Sequence, residues 1–359
     1  MKKTIAHFLY KGVKPHQEFV YHQISKLKNY RSIVIGPYQE QDNFYPFAEF
    51  YNLNDIGNLA EFLKEQNVVA IHSHHGGESL KILPKIKELD IPFIVSIRGR
   101  DGSAHKNAFD RNFNRYKDLK NYGTVLFPVC QYLADDMKKL GFPEKKLKVL
   151  YGGIDLDHFP FVEHQLPEKG EVRIVSVGRL VMKKGFDTLI EAFAKVHQNH
   201  PNTTLHIIGE GENQKELKSL IKKKKLKNVI KLRGRLSTEE IANEIQNAHI
   251  FCLASQIASD GDVEGIPNAL KEAMASGTPV VSTEHGGIPE LVRHKETGFL
   301  ATERNPHQLA QGIEFFLENP DIWKDYTEKA RLVIEENFDL DTQINVQECY
   351  YDAVVDHQD

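Results

Sequence analysis

With 359 residues, 40% of them hydrophobic and 27% charged, the chain is too long for one ordinary core and has the balance of a globular protein of two domains. A formal net charge of −4 excludes a general nucleic-acid binder, which needs a strongly positive field. Cys130, Cys252 and Cys349 are too few and too scattered for a disulfide framework or a zinc motif, and the first two sit in apolar runs, as buried thiols of a reducing compartment do.

The N-terminal stretch MKKTIAHFLYKGVKP has two lysines and a short apolar run. His7 interrupts the run and Lys11 ends it, which is too short for a signal peptide. No stretch approaches the roughly 18 apolar residues of a membrane span, so a cytoplasmic protein is expected. Short apolar runs then alternate with amphipathic segments. Strands are expected at 4–10, 32–36, 68–73, 92–97, 124–130 and 147–153, and again at 172–178, 203–209, 228–234, 248–254, 278–283 and 298–301. Continuously apolar strands separated by helices imply parallel sheets covered on both faces, hence an α/β protein of two Rossmann-like domains. The aperiodic, proline-containing stretch 155–172 reads as the linker. Ligands of such sheets bind beyond the carboxyl ends of the strands, so the expected active site is a cleft where two such domains face each other.

Two motifs in the second half carry chemistry. In VRIVSVGRLVMKKGFDTLIEAF (172–193) a strand ends at Gly178. Arg179, Lys183 and Lys184 then precede Gly185 and a helix, a grouping suited to a diphosphate or, more plainly, to a solvated basic loop. In DVEGIPNALKEAMASGTPVVS (262–282), Glu264 and Glu272 lie eight positions apart, roughly 80° around a continuous helix, so they share no face. Pro267 suits a first helical turn, which leaves Glu264 in the loop before the helix and Glu272 in its second turn. Between them lies a helix N-terminus that favours an anion. Ribose, diphosphate and sugar have that layout; a surface glutamate beside a helix-stabilising one is the plain alternative.

Together, GRL-x3-KG and EGIPNALKEAMASGTPVVST-x2-GGIPELV resemble the donor-binding domain of glycosyltransferase family 4, retaining enzymes of the GT-B fold. The form DGDVEGIPNALKEAMASG is similar to the colanic-acid and exopolysaccharide group, and LYGGID (150–155) to the family's hinge. The resemblance is strong over 172–302 and looser before it. It implies an N-terminal acceptor-side domain, 1–157, joined by a C-terminal helix at 340–359, and a donor-binding domain at 171–339. It implies that Arg179 and Lys184 neutralise the donor diphosphate, Glu272 holds the ribose and Glu264 the transferred sugar. Amides of Gly265, Ile266, Pro267's neighbour Asn268 and the 286–290 turn would line the pocket, with the base near Arg235 and Leu236. In the first domain Gly12 would approach the donor phosphates and Glu18 the acceptor.

The chain departs from the family pattern in SIRGRD, where Arg98 stands in place of a histidine. Arginine is no base at ordinary pH, so Arg98 is assigned to a phosphate oxygen or an acidic group. Asp101, His72 and His74 are nearby alternatives for a base. In the front-face mechanism of such enzymes the leaving phosphate takes the acceptor proton, and the transition state resembles that of glycoside cleavage.

Several look-alikes are discounted. GEGENQ (209–214) lacks the third glycine of a dinucleotide fingerprint, DGD (260–262) reads as loop rather than metal motif, and HSHHGG (72–77) reads as cleft lining rather than metal ligation. The basic run 218–235 and the cationic, aromatic run 105–123 are solvated faces or contacts to an anionic membrane bearing a lipid-linked acceptor. The expected partners are a UDP- or GDP-linked sugar donor and a saccharide acceptor, with no metal or other cofactor required and no nucleic acid. The alternatives are a nucleotide-sugar binder without catalysis and a sugar-nucleotide epimerase of the same fold.

Overall fold

The computed structural model describes residues 2–356. The chain divides into two compact units, Met1–Gly153 with Leu340–Asp359, and Ile154–Asp339. Each is built on one six-stranded sheet. In the first unit the strands are β1 (Thr4–Phe8), β2 (Arg31–Gly36), β3 (Phe50–Asn52), β4 (Val68–Ser73), β5 (Phe93–Ile97) and β6 (Val125–Pro128), in the order β3-β2-β1-β4-β5-β6. In the second they are β7 (Val172–Val177), β8 (Thr203–Ile208), β9 (Ile230–Gly234), β10 (Ile250–Cys252), β11 (Val280–Thr283) and β12 (Phe299–Ala301), in the order β12-β11-β10-β7-β8-β9. All pairings between these strands are parallel. Read from the first strand of each unit the two orders are the same, 3-2-1-4-5-6, the doubly wound arrangement.

One expected strand is replaced. Segment 147–153 runs along β6, where Lys148 and Leu150 donate backbone hydrogen bonds to Leu126 and Pro128, but only Leu147 forms a strand bridge. The sixth strand is β3 at the opposite edge. It has three half-exposed residues, so it leaves no apolar run in the sequence to detect. The stretch read as a linker is also attached. Phe159 is buried, Val162 donates to the Ser276 carbonyl, and Arg331 donates to the Phe159 carbonyl, so residues from Ile154 onward pack with the second unit.

The cores follow from periodicity. Helix Phe186–Asn199 buries Phe186, Leu189, Ile190, Phe193 and Val196, an i, i+3, i+4, i+7 stripe, against Ile174, Leu205 and Ile207 of the second sheet. Each such side chain contributes about 1.5–3 kcal/mol by leaving water. The first sheet is covered by a cluster that includes Phe8, Ile71, Ile82, Phe93 and Leu126. Helix Leu340–Val355 is fastened to the first unit by polar contacts as well as packing. The buried carboxylate of Glu348 accepts from the amides of Lys28 and Asn29 at 2.6 and 2.7 Å, and Tyr351 packs beneath β4 beside Ile5 and Ala70.

Candidate functional site

In a doubly wound sheet the loops diverge where the strand order reverses, which leaves a crevice at the carboxyl ends. In the second unit that point lies between β7 and β10, neighbours in space. The loop after β7 carries Arg179 and a single 3₁₀ turn, Met182–Lys184. Gly185 ends the turn at φ +62°, where a Cβ would stand 1.8 Å from the Ala254 carbonyl oxygen, so only glycine lets this turn lie on the end of β10. Gln256 stitches the two loops together: its amide donates to the Lys183 carbonyl at 2.8 Å and its side chain to the Met182 carbonyl at 2.9 Å.

This places two lysines on one carboxylate. Lys184 Nζ lies 3.2 Å from Glu264 Oε1, and Lys183 Nζ lies 3.6 Å from the same oxygen and 3.2 Å from Asp262 Oδ1. All these side chains are largely buried. Burial raises the Glu264 pKa, but the two ammonium groups outweigh it and hold the carboxyl down at about 2. Burial lowers the Lys184 pKa, and Glu264 does not fully offset it against the repulsion of Lys183 and Arg179. Lys183 is buried too, yet two carboxylates raise its pKa. Lys184 is therefore the less neutralised of the two buried lysines.

The other side of the Glu264 loop rests on the turn after β11. His285 Nε2 accepts the Glu264 amide at 3.0 Å, and the Gly287 amide donates to the Gly265 carbonyl at 3.0 Å. Gly286, at φ +53°, lies against the Glu264 carbonyl, where a Cβ would come within 2.2 Å. Helix Asn268–Ala275 follows. Pro267 precedes its first turn rather than entering it, and the amides of Asn268 and Ala269 come before the first helical hydrogen bonds, which Leu270 and Lys271 donate to the Pro267 carbonyl. Glu272, half-buried, is its fifth residue, so the two glutamates flank the helix N-terminus, with Ile266 in the loop between them. Arg179 is exposed at the mouth of β7. Arg235 is exposed and Leu236 half-buried after β9, just before the capping box of Ser237 and Glu240.

The structure thus brings Lys184 and Glu264 into contact, with Arg179 in their field and the remaining second-unit candidates on loops at the same sheet edge. Asp262, His285 and Glu303 were not singled out as site residues from the sequence, and Lys183 only as one cation of a group suited to a diphosphate. Lys183 and Asp262 stood in the quoted motifs, whereas nothing in the spacing of His285 and Glu303 announces a pair.

The first-unit candidates have different surroundings. Gly12 is buried where a Cβ would come within 2.2 Å of the Asp42 carbonyl, so a protein segment makes the close approach that requires glycine. Glu18 begins helix Glu18–Ser25, 4.0 Å from His22. Arg98 donates to the His74 carbonyl at 3.1 Å and to Gln23 Oε1 at 2.8 Å, and its guanidinium sits 4.5 Å from the Phe19 ring centre. Burial lowers its pKa to about 10. Asp101 accepts the Gly76 amide at 3.1 Å and the Tyr116 hydroxyl at 3.2 Å, so both its oxygens serve the start of helix Gly76–Ile86 and its packing. His7, His72 and His74 stack, and burial drives the pKa of each down. His72 is held by the Tyr351 hydroxyl at 2.6 Å and Ser96 at 2.9 Å, and His7 Nδ1 meets His74 Nε2 at 3.0 Å. The three rings bring ligand atoms within 4.8 Å of one another, but no carboxylate belongs to the cluster and the charge of Arg98 opposes a cation there.

Two doubly wound units of this order, with a cation–carboxylate cluster at the switch point of the second, are the architecture of a GT-B protein. Solved structures share it: HepE of Anabaena, crystallised with UDP and glucose, superposes with a TM-score of 0.80 over 97% of this chain and 99% of that one at 20% identity. A glycosyltransferase of Rickettsia africae does so with a TM-score of 0.80 over 99% of both chains at 20% identity. Residues 17–158 match the model of Glycosyltransferase Family 4, and residues 160–333 that of Glycosyl transferases group 1. The chain belongs to glycosyltransferase family 4. It is 34% identical over 244 residues to the amylovoran biosynthesis glycosyltransferase AmsK of Erwinia amylovora, covering 68% of this chain and 60% of AmsK. It is 34% identical over 224 residues to WcaL of Escherichia coli, named for colanic acid biosynthesis, covering 62% of this chain and 55% of WcaL. The matched region thus spans somewhat over half the length of these relatives. No helix among the described residues is long and apolar enough to cross a membrane.

Proposed function

We propose that the chain is a retaining glycosyltransferase that moves a sugar from a nucleoside-diphosphate donor to a saccharide hydroxyl during exopolysaccharide assembly. The observation that carries this reading is Glu264, a buried, ionised carboxylate flanked by two ammonium groups in the loop before a helix N-terminus. Such a carboxylate accepts from a sugar hydroxyl. Lys184 and Arg179 take the diphosphate, the amides around Gly265–Asn268 line it, and Glu272 takes the ribose. Fixed cations then stabilise the charge that develops on the leaving group, and no metal or other cofactor is required. Arg98 acts through what it holds, Gln23 and the His74 carbonyl, rather than on the reacting atoms. The names of AmsK and WcaL support a polysaccharide product, and the UDP and glucose of HepE support a nucleotide-sugar donor.

We assign the acceptor, free or lipid-linked, to the first unit and the enzyme to the cytoplasm, in contact with the membrane surface. Helices Phe109–Arg115 and Lys117–Tyr122 expose Phe113 and Tyr122 beside Arg115 and Lys117, a surface suited to anionic lipid.

The test is a panel of UDP- and GDP-sugars with saccharide acceptors, with and without chelator, read by product mass and anomeric NMR. Transfer with retained configuration that survives chelation is expected. Glu272→Ala should raise the donor KM about tenfold, the worth of one charge-assisted hydrogen bond. The reading is overturned if the wild type neither transfers nor hydrolyses any donor while Glu272→Ala and Lys184→Ala bind nucleotide sugars as it does.

A further inference from the structure

The Glu264 loop has a second layer behind it. The loop amide donates to His285 Nε2 at 3.0 Å, and an amide cannot accept in return, so Nε2 must be the bare nitrogen. A neutral imidazole with bare Nε2 carries its proton on Nδ1. That nitrogen lies 2.7 Å from Glu303 Oε1, an acceptor. His285 is thus satisfied at both ends only in the Nδ1–H form, and its ring is buried. Glu303 does a second task on the same loop. Its Oε2 accepts the Ile257 amide at 2.9 Å, while Arg304 donates to the Ile257 carbonyl. The loop between β10 and helix Asn268–Ala275 is therefore gripped near its start and near Glu264 by one carboxylate, directly at Ile257 and through an imidazole at Glu264.

We propose that Glu303 and His285 are positioning residues for Glu264: Glu303 selects the Nδ1–H tautomer of His285, whose bare Nε2 then holds the Glu264 amide and keeps the carboxylate between Lys183 and Lys184. The opposite tautomer, or the imidazolium, would set N–H against N–H across 3.0 Å and push the loop off the turn after β11. Glu303→Ala removes the acceptor for Nδ1–H, whereas Glu303→Gln would leave an acceptor for only one of the two N–H groups that the carboxylate serves, His285 Nδ1–H and the Ile257 amide.

The role in turnover rests on the proposed donor site, but the tautomer can be measured without it. In ¹⁵N-histidine-labelled full-length protein, with His285 assigned by its loss in His285→Gln, the ring couplings of the wild type should show a protonated Nδ1 and a bare Nε2. Glu303→Ala should lose that pattern. If donor turnover is present, Glu303→Ala should lower kcat/KM for donor about tenfold while unfolding within a few degrees of the wild type. A wild-type His285 protonated on Nε2, or an unchanged tautomer in Glu303→Ala, overturns the relay. The correct tautomer pattern in a protein that uses no nucleotide sugar would leave the relay standing and remove the functional reading instead.

Discussion

The two switch points of the molecule have the same topology and opposite chemistry. Between β7 and β10 the crevice is lined by ions: Lys184 and Lys183 on Glu264, Lys183 also on Asp262, and Arg179 at the mouth. Between β1 and β4, His7 and His72 face each other in register, and the polar groups are imidazoles that burial keeps neutral. There the polar atoms are largely turned on one another or on Tyr351, Ser96 and Gln23, and the guanidinium of Arg98 acts as a strut. The strand order supplies a crevice in either unit; the side chains at the strand ends decide whether its field suits an anionic ligand or consolidates the fold.

Exchanging function for structure at the two points should separate them. Lys184→Ala should lower kcat/KM by about 10²–10³-fold, the usual loss for one group that stabilises leaving-group charge, with the fold intact. Arg98→Met should instead lower the unfolding midpoint while kcat/KM stays within about tenfold, because the residue's partners are Gln23, a carbonyl and a ring. Equal losses of activity in two folded variants would erase the contrast.

A second pair of substitutions sharpens it on the side of stability. Gly185→Ala has neither the backbone freedom nor the space it needs and should cost at least about 2 kcal/mol in denaturant unfolding. Gly57, in the first unit, has no atom within 4 Å of the point a Cβ would occupy, so Gly57→Ala should change stability by less than about 1 kcal/mol.

The contrast extends to acid sensitivity. His7 and His75 have folded pKa values of about 3, lowered by burial from 6.5. The unfolded chain therefore binds more protons between those values, so their contribution is complete above pH 6.5 and fades as pH falls, by about 1.4 kcal/mol per pH unit for each. Glu264, lowered to about 2 from 4.5, contributes fully above 4.5 and loses that contribution only below it. Amide exchange on the intact chain at pH 7, 6 and 5 should show protection falling first in β1 and β4. If β7 and β10 open first, the contrast between the two switch points is wrong.

Much of the architecture is legible in the sequence where local pattern and fold agree. Eleven of the expected strands have counterparts in the sheets, most of them because their apolar runs are buried on both faces, while the edge strand β9 is partly exposed. The placement of Glu264 before a helix and Glu272 upon it follows from Pro267 and the helical period. Arg98 illustrates the opposite case. Its position in SIRGRD invites an anion, but Gln23 and Phe19 lie about eighty residues earlier in the chain and nothing local announces them. Gly12 is similar: its motif invites a phosphate, while the segment that needs the space is Asp42.

The two parallel sheets, the family and the loops that carry the cations and carboxylates follow from the order of residues alone, since these depend on periodicities and motifs within a few turns of chain. Three-dimensional packing was needed to establish that Lys183 shares Glu264 with Lys184, that His285 and Glu303 stand behind the loop, and that three histidines of the first unit gather in one buried cluster. Those contacts join residues 18 to 279 positions apart, and a hydrogen bond or an ion pair depends on distance in space, which strand order sets and residue spacing does not.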